Sequence, residues 1–221
     1  NYASCYRFLW EWNARKIPLI FRGDSHRLIS PTGIKAWAKR QFINQIYRRF
    51  AACLYVGKAN YEYFRYHEVK LENLFLSPHT VDNNRFFAQA ETAKQEAITW
   101  KKELGIPQER TVVLFAGKFE DKKRPTDLLQ AFLQANISDA SLLFAGAGSL
   151  EDELKSQAAN HPNIYFAPFQ NQSLMPRTYA AADLVVLPSY GNYETWGLAI
   201  IEALCLSRAI IVSSHVGCAQ D

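Results

Sequence analysis

Residues 190–202 read YGNYETWGLAIIE, and this stretch decides the fold class. It follows ADLVVLPS (Ala182–Ser189), an apolar run that is typical of a buried strand. Its Gly, Asn and Tyr residues predict a loop, and a helix is expected to begin near Gly197. A strand, a loop and a helix in this order indicate an α/β protein with a parallel sheet.

Two acidic residues, Glu194 and Glu202, lie in this stretch with seven residues between them. In one continuous helix they would be about 12 Å apart and would not share a face. If Glu194 lies in the loop and Glu202 lies one turn into the helix, both flank the helix N-terminus, where free N–H groups favour a phosphate. Carboxylates accept hydrogen bonds from hydroxyls, so this arrangement fits a sugar attached to a nucleoside diphosphate. The alternative is that the acids cap the helix and cover its surface.

The composition indicates a folded protein. The chain has 221 residues, 48% of them apolar, and its net charge of +4 is too mild to indicate nucleic acid binding. No run reaches the roughly 18 apolar residues of a membrane span. The four cysteines are scattered without metal-binding spacing, which predicts buried thiols in a reducing, cytoplasmic compartment. The sequence opens at Asn1 rather than at Met, and we expect a fragment of a longer protein.

The first 80 residues alternate helix and strand patterns, which predicts part of a doubly wound sheet. The first predicted strand, 17–22, is followed directly by Asp24 and His26. Side chains just past the carboxyl end of a parallel strand lie where open sheets bind ligands. From the spacing alone, a capping turn with His26 as a bystander is the favoured interpretation.

The predicted helix over residues 33–51 is strongly basic. It carries no acidic residue, and its cations are Lys35, Lys39, Arg40, Arg48 and Arg49. Trp37, Phe42, Ile46 and Phe50 are expected to supply its apolar side. A solvated face is the simpler interpretation of the charge. Docking on anionic lipid or on an acidic acceptor is the functional alternative.

The second part of the chain begins after a break in the pattern at 78–90, which is interpreted as a linker, and a helix is expected from Glu91. A predicted strand ends at Gly117, and the basic loop KFEDKKR (118–124) separates it from the next helix. Lysines in such a loop suit phosphate groups, although a solvated charged loop is the usual meaning of this pattern.

A further predicted strand ends at Gly146-Ala147-Gly148. This GxG lacks the third glycine of a dinucleotide-binding fingerprint. It therefore predicts a tight turn from strand to helix, with the helix beginning near Leu150.

Glu194 and Glu202, with Trp196-Gly197-Leu198 between them, resemble the E-x(7)-E signature of retaining glycosyltransferases of the GT-B fold, glycosyltransferase family 4. Three further segments match in the family's order. They are Lys118 and Lys123, similar to its G-R/K-x-x-x-x-K motif, the G-x-G at 146–148, and VDNNRF (81–86), similar to the segment that joins its two domains.

The resemblance implies an α/β fold of the GT-B type, with two Rossmann-like, doubly wound parallel-sheet domains that are both incomplete in this sequence. Residues 1–80 would be the second half of the N-terminal, acceptor-side domain. Residues 81–90 would be the interdomain linker. Residues 91–221 would be the C-terminal domain that binds the nucleotide-sugar, truncated at its end.

The resemblance also implies the site residues. His26 and Glu194 would be catalytic, with His26 near the transferred sugar and Glu194 on its hydroxyls. Glu202 would hold the ribose, and Lys118 and Lys123 the diphosphate. The donor-binding residues would be Gly117, Lys118, Lys123, Gly146, Gly148, Phe169, Trp196, Gly197, Leu198 and Glu202.

The implied reaction is transfer of a sugar from a nucleoside diphosphate-sugar to an acceptor hydroxyl of a glycan or a lipid-linked precursor, with retention at the anomeric carbon. No cofactor and no metal are expected. A peripheral contact with the inner membrane face would use residues 33–51. Two alternatives stay open, namely a GT-B epimerase or phosphorylase, and a non-catalytic module that binds a nucleotide.

Overall fold

The computed structural model describes residues 3–29, 32–191 and 194–221. The chain divides into two compact units. Unit 1 contains Asn1–His79 with Gly217–Asp221, and unit 2 contains Thr80–Val216.

Unit 1 alternates helices and strands, as its sequence predicts, and its three described strands form a parallel sheet in the order β1-β2-β3. Ile20 lies opposite Ala52 across the first pair, and Cys53 lies opposite Leu74 across the second. The elements are α1 (Ala3–Ala14), β1 (Ile20–Arg22), α2 (Ile34–Tyr47), β2 (Ala52–Tyr55), α3 (Lys58–Tyr66) and β3 (Leu74–Leu76).

The core of unit 1 is aromatic, with Tyr47 and Phe64 packed edge to face at a ring-centroid distance of 5.3 Å. One buried polar side chain near this core bonds to the backbone at both atoms of its amide. The amide of Asn60 accepts a hydrogen bond from Val56 N–H (3.0 Å) and donates one to the Ser25 carbonyl (2.7 Å). This residue thereby fixes the loop after β1 relative to the loop after β2.

The predicted apolar side of the basic helix is wrong in part. Trp37 and Phe42 of α2 are exposed, whereas Asn44 and Tyr47 face the interior. Asn44 can be buried because its Oδ1 lies 2.8 Å from Nδ1 of the buried His67. The inner face of the helix thus combines an internal polar pair at Asn44 with the aromatic packing of Tyr47.

Unit 2 is built on five parallel strands in the order β6-β5-β4-β7-β8. The chain therefore builds one half of the sheet outward from β4 and then returns to build the other half from β7. The elements are α4 (Asn83–Glu103), β4 (Thr111–Ala116), α5 (Pro125–Ala135), β5 (Ala140–Ala145), α6 (Glu151–Ala158), β6 (Ile164–Ala167), α7 (Met175–Ala180), β7 (Leu184–Leu187), α8 (Leu198–Cys205) and β8 (Ala209–Val212).

Helices cover both faces of this sheet. Val112 and Leu114 of β4 pack with residues of α4, α7 and α8, while Val113 and Phe115 pack with residues of α5 and α6. Successive side chains of a strand point to opposite faces, so a strand covered on both sides is apolar throughout. This explains why the central strands read as continuous apolar runs.

The expected helix start at Glu91 is wrong, while the assignment of residues 81–90 as the interdomain linker stays a prediction. Helix α4 begins at Asn83, where the Asp82 carboxylate accepts a hydrogen bond from Arg85 N–H at 3.0 Å. The asparagines favour turns and conceal this cap in the sequence, but Phe86 is fully buried against the sheet and offsets their low propensity.

The expectation of buried cysteines is confirmed for Cys53 and wrong for Cys5, which lies on the exposed side of α1. Cys205 and Cys218 are partly exposed, and none of the four cysteines forms a disulfide. Within the described ranges, no helix has both the length and the apolar character required to cross a membrane.

Candidate active site

The centre of unit 2 is the place where the direction of strand addition reverses. Strands β4 and β7 are neighbours there, and the chain leaves them toward opposite halves of the sheet. Ligands of open α/β sheets bind in the crevice beyond the carboxyl ends of such a strand pair. Two loops lie at this edge. One is 117–124, after β4, and the other follows β7 and is described at residues 188–191 and 194–197.

These two loops are joined by main-chain and side-chain contacts. Tyr190 N–H donates to the Lys122 carbonyl at 2.9 Å. The ammonium group of Lys123 contacts the Glu194 carboxylate, which also accepts a hydrogen bond from Ser189 Oγ at 3.1 Å. The side chains of Lys123 and Glu194 are 23% and 15% exposed, so water screens this ion pair less than one on the open surface.

The neighbouring cations make different contacts. Lys122 lies 3.0 Å and Lys118 lies 3.9 Å from oxygens of Glu120. Hydrogen bonding from Lys122 lowers the pKa of this exposed carboxyl, with the charges of Lys122, Lys118 and Lys123 adding to the effect. Arg124 pairs with Asp127 at 3.0 Å. Lys123 is therefore the residue of this basic run that is seen to contact Glu194.

The loop after β5 supports the loop after β4 through backbone atoms. Phe119 N–H donates to the Ala147 carbonyl and Leu150 N–H donates to the Phe119 carbonyl, both at 3.0 Å. A Cβ atom on Gly146 would overlap the carbonyl oxygen of Gly117, and one on Gly148 would overlap that of Phe119. The GxG segment is thus a close-approach turn, as its sequence predicts.

Glu202 has a separate set of partners. It is the fifth residue of α8, one turn into the helix, as predicted. Its Oε1 accepts a hydrogen bond from Gln172 Nε2 at 2.9 Å, and its Oε2 accepts one from the Tyr179 hydroxyl at 2.8 Å. Tyr179 is fully buried, and burial raises the pKa of its hydroxyl well above 10, with Glu202 adding to the effect.

A cavity of about 350 Å³ lies at the carboxyl ends of β4, β5 and β6. Gly117, Phe169 and Glu202 all line it, so three of the sequence-predicted residues share one depression. Phe169 is 69% exposed, which leaves its ring available to a ligand. Gln172 and Met175 also line the cavity, and sequence reasoning missed both.

The segment between the two acids forms the start of α8. Gly197 is its N-cap in the left-handed region (φ 94°), a conformation that a glycine adopts without strain. Trp196 is buried and Leu198 is 45% exposed as the first residue of the helix. Glu194 precedes this turn in non-helical backbone, as predicted. Asn192 and Tyr193, which the sequence places in the predicted loop, lie outside the described residues.

His26 belongs to unit 1, and its contacts are given within that unit. It follows β1, its ring is 6% exposed, and its Nδ1 accepts a hydrogen bond from Leu28 N–H at 3.4 Å. Beside it, Asp24 lies 3.6 Å from His79. The role of His26 at the sugar stays a prediction.

Comparison with known proteins connects this geometry to a family. The sequence model described as Glycosyl transferases group 1 matches residues 96–220. An uncharacterized glycosyltransferase of Methanocaldococcus jannaschii is 28% identical over 127 residues, which are 56% of this chain and 32% of that protein. D-inositol 3-phosphate glycosyltransferase of Mycobacterium sp. strain KMS is 32% identical over 126 residues, which are 52% of this chain and 27% of that protein.

A solved structure shares the fold. The crystal structure of HepE of Anabaena with UDP and glucose superposes with a TM-score of 0.68 at 17% identity, covering 95% of this chain and 56% of that one. The chain thus spans little more than half of this neighbour, and the aligned stretches span about a third or less of the curated relatives. The fold is of the GT-B glycosyltransferase class, with incomplete Rossmann-like units. The chain belongs to the glycosyl transferases group 1 family.

Proposed function

We propose that the protein is a retaining glycosyltransferase of family 4, which transfers a sugar from a nucleoside diphosphate-sugar to an acceptor hydroxyl of a glycan or a lipid-linked precursor. The contact between Lys123 and Glu194 at the strand reversal carries this proposal. It brings a phosphate-binding cation together with a carboxylate that can bind sugar hydroxyls. The structure of HepE with UDP and glucose supports a donor of this kind.

The proposed donor extends from the cavity toward the ion pair. Phe169 contacts the base, and Glu202 accepts hydrogen bonds from the ribose hydroxyls. Lys118, Lys123 and the N–H groups at the start of α8 bind the diphosphate. Glu194 accepts hydrogen bonds from the hydroxyls of the transferred sugar.

In the proposed reaction, the bond from the anomeric carbon to the diphosphate oxygen breaks, and the acceptor oxygen bonds to that carbon on the same face. The acceptor proton passes to the departing diphosphate. Negative charge therefore develops on the diphosphate, and Lys118 and Lys123 stabilise it more in the transition state than in the ground state. His26 is proposed to contact the sugar or its acceptor.

We also propose that the transfer needs no cofactor and no resident metal. Lys118 and Lys123 would supply the positive charge that a divalent cation would otherwise provide to a diphosphate. Within the described ranges, no group of three or more His, Cys, Asp or Glu side chains has a geometry suited to a metal ion. Transfer that continues at full rate in excess EDTA is the expected result.

A peripheral contact with an anionic membrane at the cytoplasmic face is part of the proposal. Helix α2 exposes Ile34, Trp37 and Phe42 alongside the cations Lys35 and Lys39. Exposed aromatic side chains and lysines on one helix suit the lipid headgroup region. The protein is expected to cosediment with vesicles that contain anionic lipid and not with neutral vesicles. Replacing both Trp37 and Lys39 by Ser should lower the cosedimentation with anionic vesicles.

Transfer of labelled sugar tests the main proposal. The protein is incubated with UDP-, ADP- and GDP-linked sugars and an acceptor mixture, and the anomeric configuration of the product is determined by NMR. Lys118→Ala and Glu194→Ala should each lower transfer by at least about a hundredfold, because each removes a charge or hydrogen bond used at the reacting centre.

The matched control is Lys122→Ala, since this lysine pairs with Glu120 rather than with Glu194. It should keep transfer within about threefold of the unmodified chain. Full transfer by both site variants would contradict the site. Nucleotide binding without transfer would favour the binding module, and an inverted product would contradict retention.

A further inference from the structure

Glu202 is held by two side chains of very different rigidity. The Tyr179 hydroxyl donates to Oε2 at 2.8 Å, and Gln172 Nε2 donates to Oε1 at 2.9 Å. The Tyr179 ring is completely buried in the core on which α4, α7 and α8 pack, whereas Gln172 is exposed. The position of the tyrosine hydroxyl is therefore set by the core, and that of the glutamine amide is not.

The acceptor capacity of the carboxylate is limited. An ionised carboxylate offers about four lone-pair positions on its two oxygens. Tyr179 and Gln172 occupy one position on each oxygen. One position on each oxygen remains, and this matches the two adjacent hydroxyls of a ribose ring.

We propose that Tyr179 is a positioning residue that fixes the Glu202 carboxylate so that the site distinguishes ribose from 2′-deoxyribose. The inference rests on the proposed function, in which Glu202 binds the ribose of the donor. Tyr179 touches neither the donor nor the reacting atoms in this account. It acts through the orientation of Glu202.

The chemistry of the two groups supports a fixed direction of donation. Burial raises the pKa of the Tyr179 hydroxyl, so it keeps its proton at neutral pH and can only donate to the carboxylate. A hydrogen bond to a charged acceptor is stronger than one between neutral groups. Without the hydrogen bond from Tyr179, the partly exposed Glu202 side chain can rotate. Binding of the ribose hydroxyls must then also offset the entropy lost when the carboxylate is fixed in one orientation.

The experiment measures dissociation constants of three matched pairs, UDP and 2′-dUDP, ADP and 2′-dADP, and GDP and 2′-dGDP, by isothermal titration calorimetry. In the unmodified chain, at least one ribonucleotide should bind about tenfold or more tightly than its deoxy partner. Tyr179→Phe should reduce that ratio to about threefold or less, mainly through weaker binding of the ribonucleotide.

Two further variants separate positioning from general damage. Tyr165→Phe is the matched control, because Tyr165 packs against the same core, whereas the tyrosine hydroxyl bonded to Glu202 is that of Tyr179. It should leave the ratio unchanged. Gln172→Ala removes the exposed donor and should reduce the ratio less than Tyr179→Phe does. Circular dichroism and the midpoint of thermal unfolding report whether each variant folds.

The outcomes separate this inference from the proposed function. One outcome would overturn the positioning role and leave the donor site standing. In it, the unmodified chain binds a ribonucleotide tightly, and a folded Tyr179→Phe protein shows an unchanged or larger ratio of the deoxynucleotide to the ribonucleotide dissociation constant. Equal loss for both members of a pair would show a structural role and would also overturn it. Failure of the unmodified chain to bind any of the three ribonucleotides would overturn the proposed function and this inference together.

Discussion

Lys123 has two potential anionic partners in the proposed mechanism, the Glu194 carboxylate and the donor diphosphate. In the structure the ammonium group contacts Glu194. A diphosphate that binds Lys123 must therefore compete with, or share, this carboxylate. In the proposed mechanism, the pair would hold both side chains close to their working positions and would weaken the binding of the diphosphate in return.

The residue scale yields a prediction about this competition. Glu194→Gln should bind UDP about fivefold more tightly, because a neutral amide holds the ammonium group less strongly than a carboxylate does. Transfer should fall at the same time, since the sugar loses a charged acceptor. Calorimetry with UDP measures the affinity, and Asp127→Asn, which removes the partner of Arg124, is the control. Unchanged UDP affinity in Glu194→Gln would show that the pair does not compete.

A second prediction at this scale concerns pH and His67 in unit 1. Burial, with the charges of Arg40 and Arg27 adding to it, lowers the pKa of His67 to about 4, and Glu68 opposes this shift. Since the folded pKa lies below the ordinary value of 6.5, the unfolded chain binds the proton first as the pH falls. The contribution of neutral His67 to stability is full above about pH 6.5 and is lost as the pH falls toward 4. The loss is about 2 kcal/mol at pH 5.

Urea unfolding at pH 7 and pH 5 checks this prediction. His67→Gln should remove most of the difference between the two pH values, although it lowers the stability at pH 7. His161→Gln, at an exposed histidine, should retain the difference. An equally large pH dependence in His67→Gln would assign it to other groups.

Single residues also show how far the sequence could predict the site. The loop position of Glu194 and the helix position of Glu202 follow from local patterns, and both are observed. The partners of Glu202 could not be found in this way. Tyr179 and Gln172 lie 23 and 30 residues away along the chain. The packing of α7 against α8 brings Tyr179 to the carboxylate, and Gln172 reaches it from the loop that precedes α7.

For helices and strands, the type of element is easier to predict from the sequence than the residues at which it begins and ends. The strands of unit 2 read as apolar runs because helices cover both faces of the sheet. The start of α4 was missed because Asn83 and Asn84 suggest a turn, while the cap at Asp82 and the burial of Phe86 depend on tertiary packing. Helix termini are set by such individual contacts, and these leave weak signals in one sequence.

The turn between β5 and α6 gives the prediction at this scale. Gly146→Ala should lower the free energy of unfolding by about 2 kcal/mol or more, because its Cβ would overlap the Gly117 carbonyl and the backbone would have to move. Gly117→Ala is the matched control, since its Cβ would meet the Phe115 ring at ordinary distances of 3.8 and 3.9 Å. It should change stability by less than about 0.5 kcal/mol. Urea unfolding measures both, and equal effects would contradict the close approach.

At the scale of the whole molecule, alternating helices and strands predict parallel sheets, and the spaced motifs predict the fold class. The strand order β6-β5-β4-β7-β8 is a tertiary property that neither pattern contains. It nevertheless decides where the site lies, because the reversal between β4 and β7 brings the loop 117–124 and the loop after β7 together through Tyr190.

The division into two units yields a prediction for the whole chain. UDP at about one hundred times its dissociation constant should stabilise the unit that binds it by about 2.7 kcal/mol. Hydrogen exchange followed by mass spectrometry should therefore slow in unit 2, above all in α8 and in the loops after β4 and β7. Peptides of unit 1 serve as the internal reference. Slowing confined to unit 1 would contradict the placement of the donor site.

The backbone contacts of the 117–124 loop have a consequence for how donor choice could change, in evolution or by engineering. Main-chain bonds to Ala147 and Tyr190 and the missing side chain at Gly146 set the path of this loop. The side chains of residues 118 and 122 take no part in these main-chain bonds. Exchanging them should therefore leave the loop in place. A library randomised at position 118 would then survey replacements for the proposed diphosphate contact at little cost to folding, with position 122 as the neutral reference.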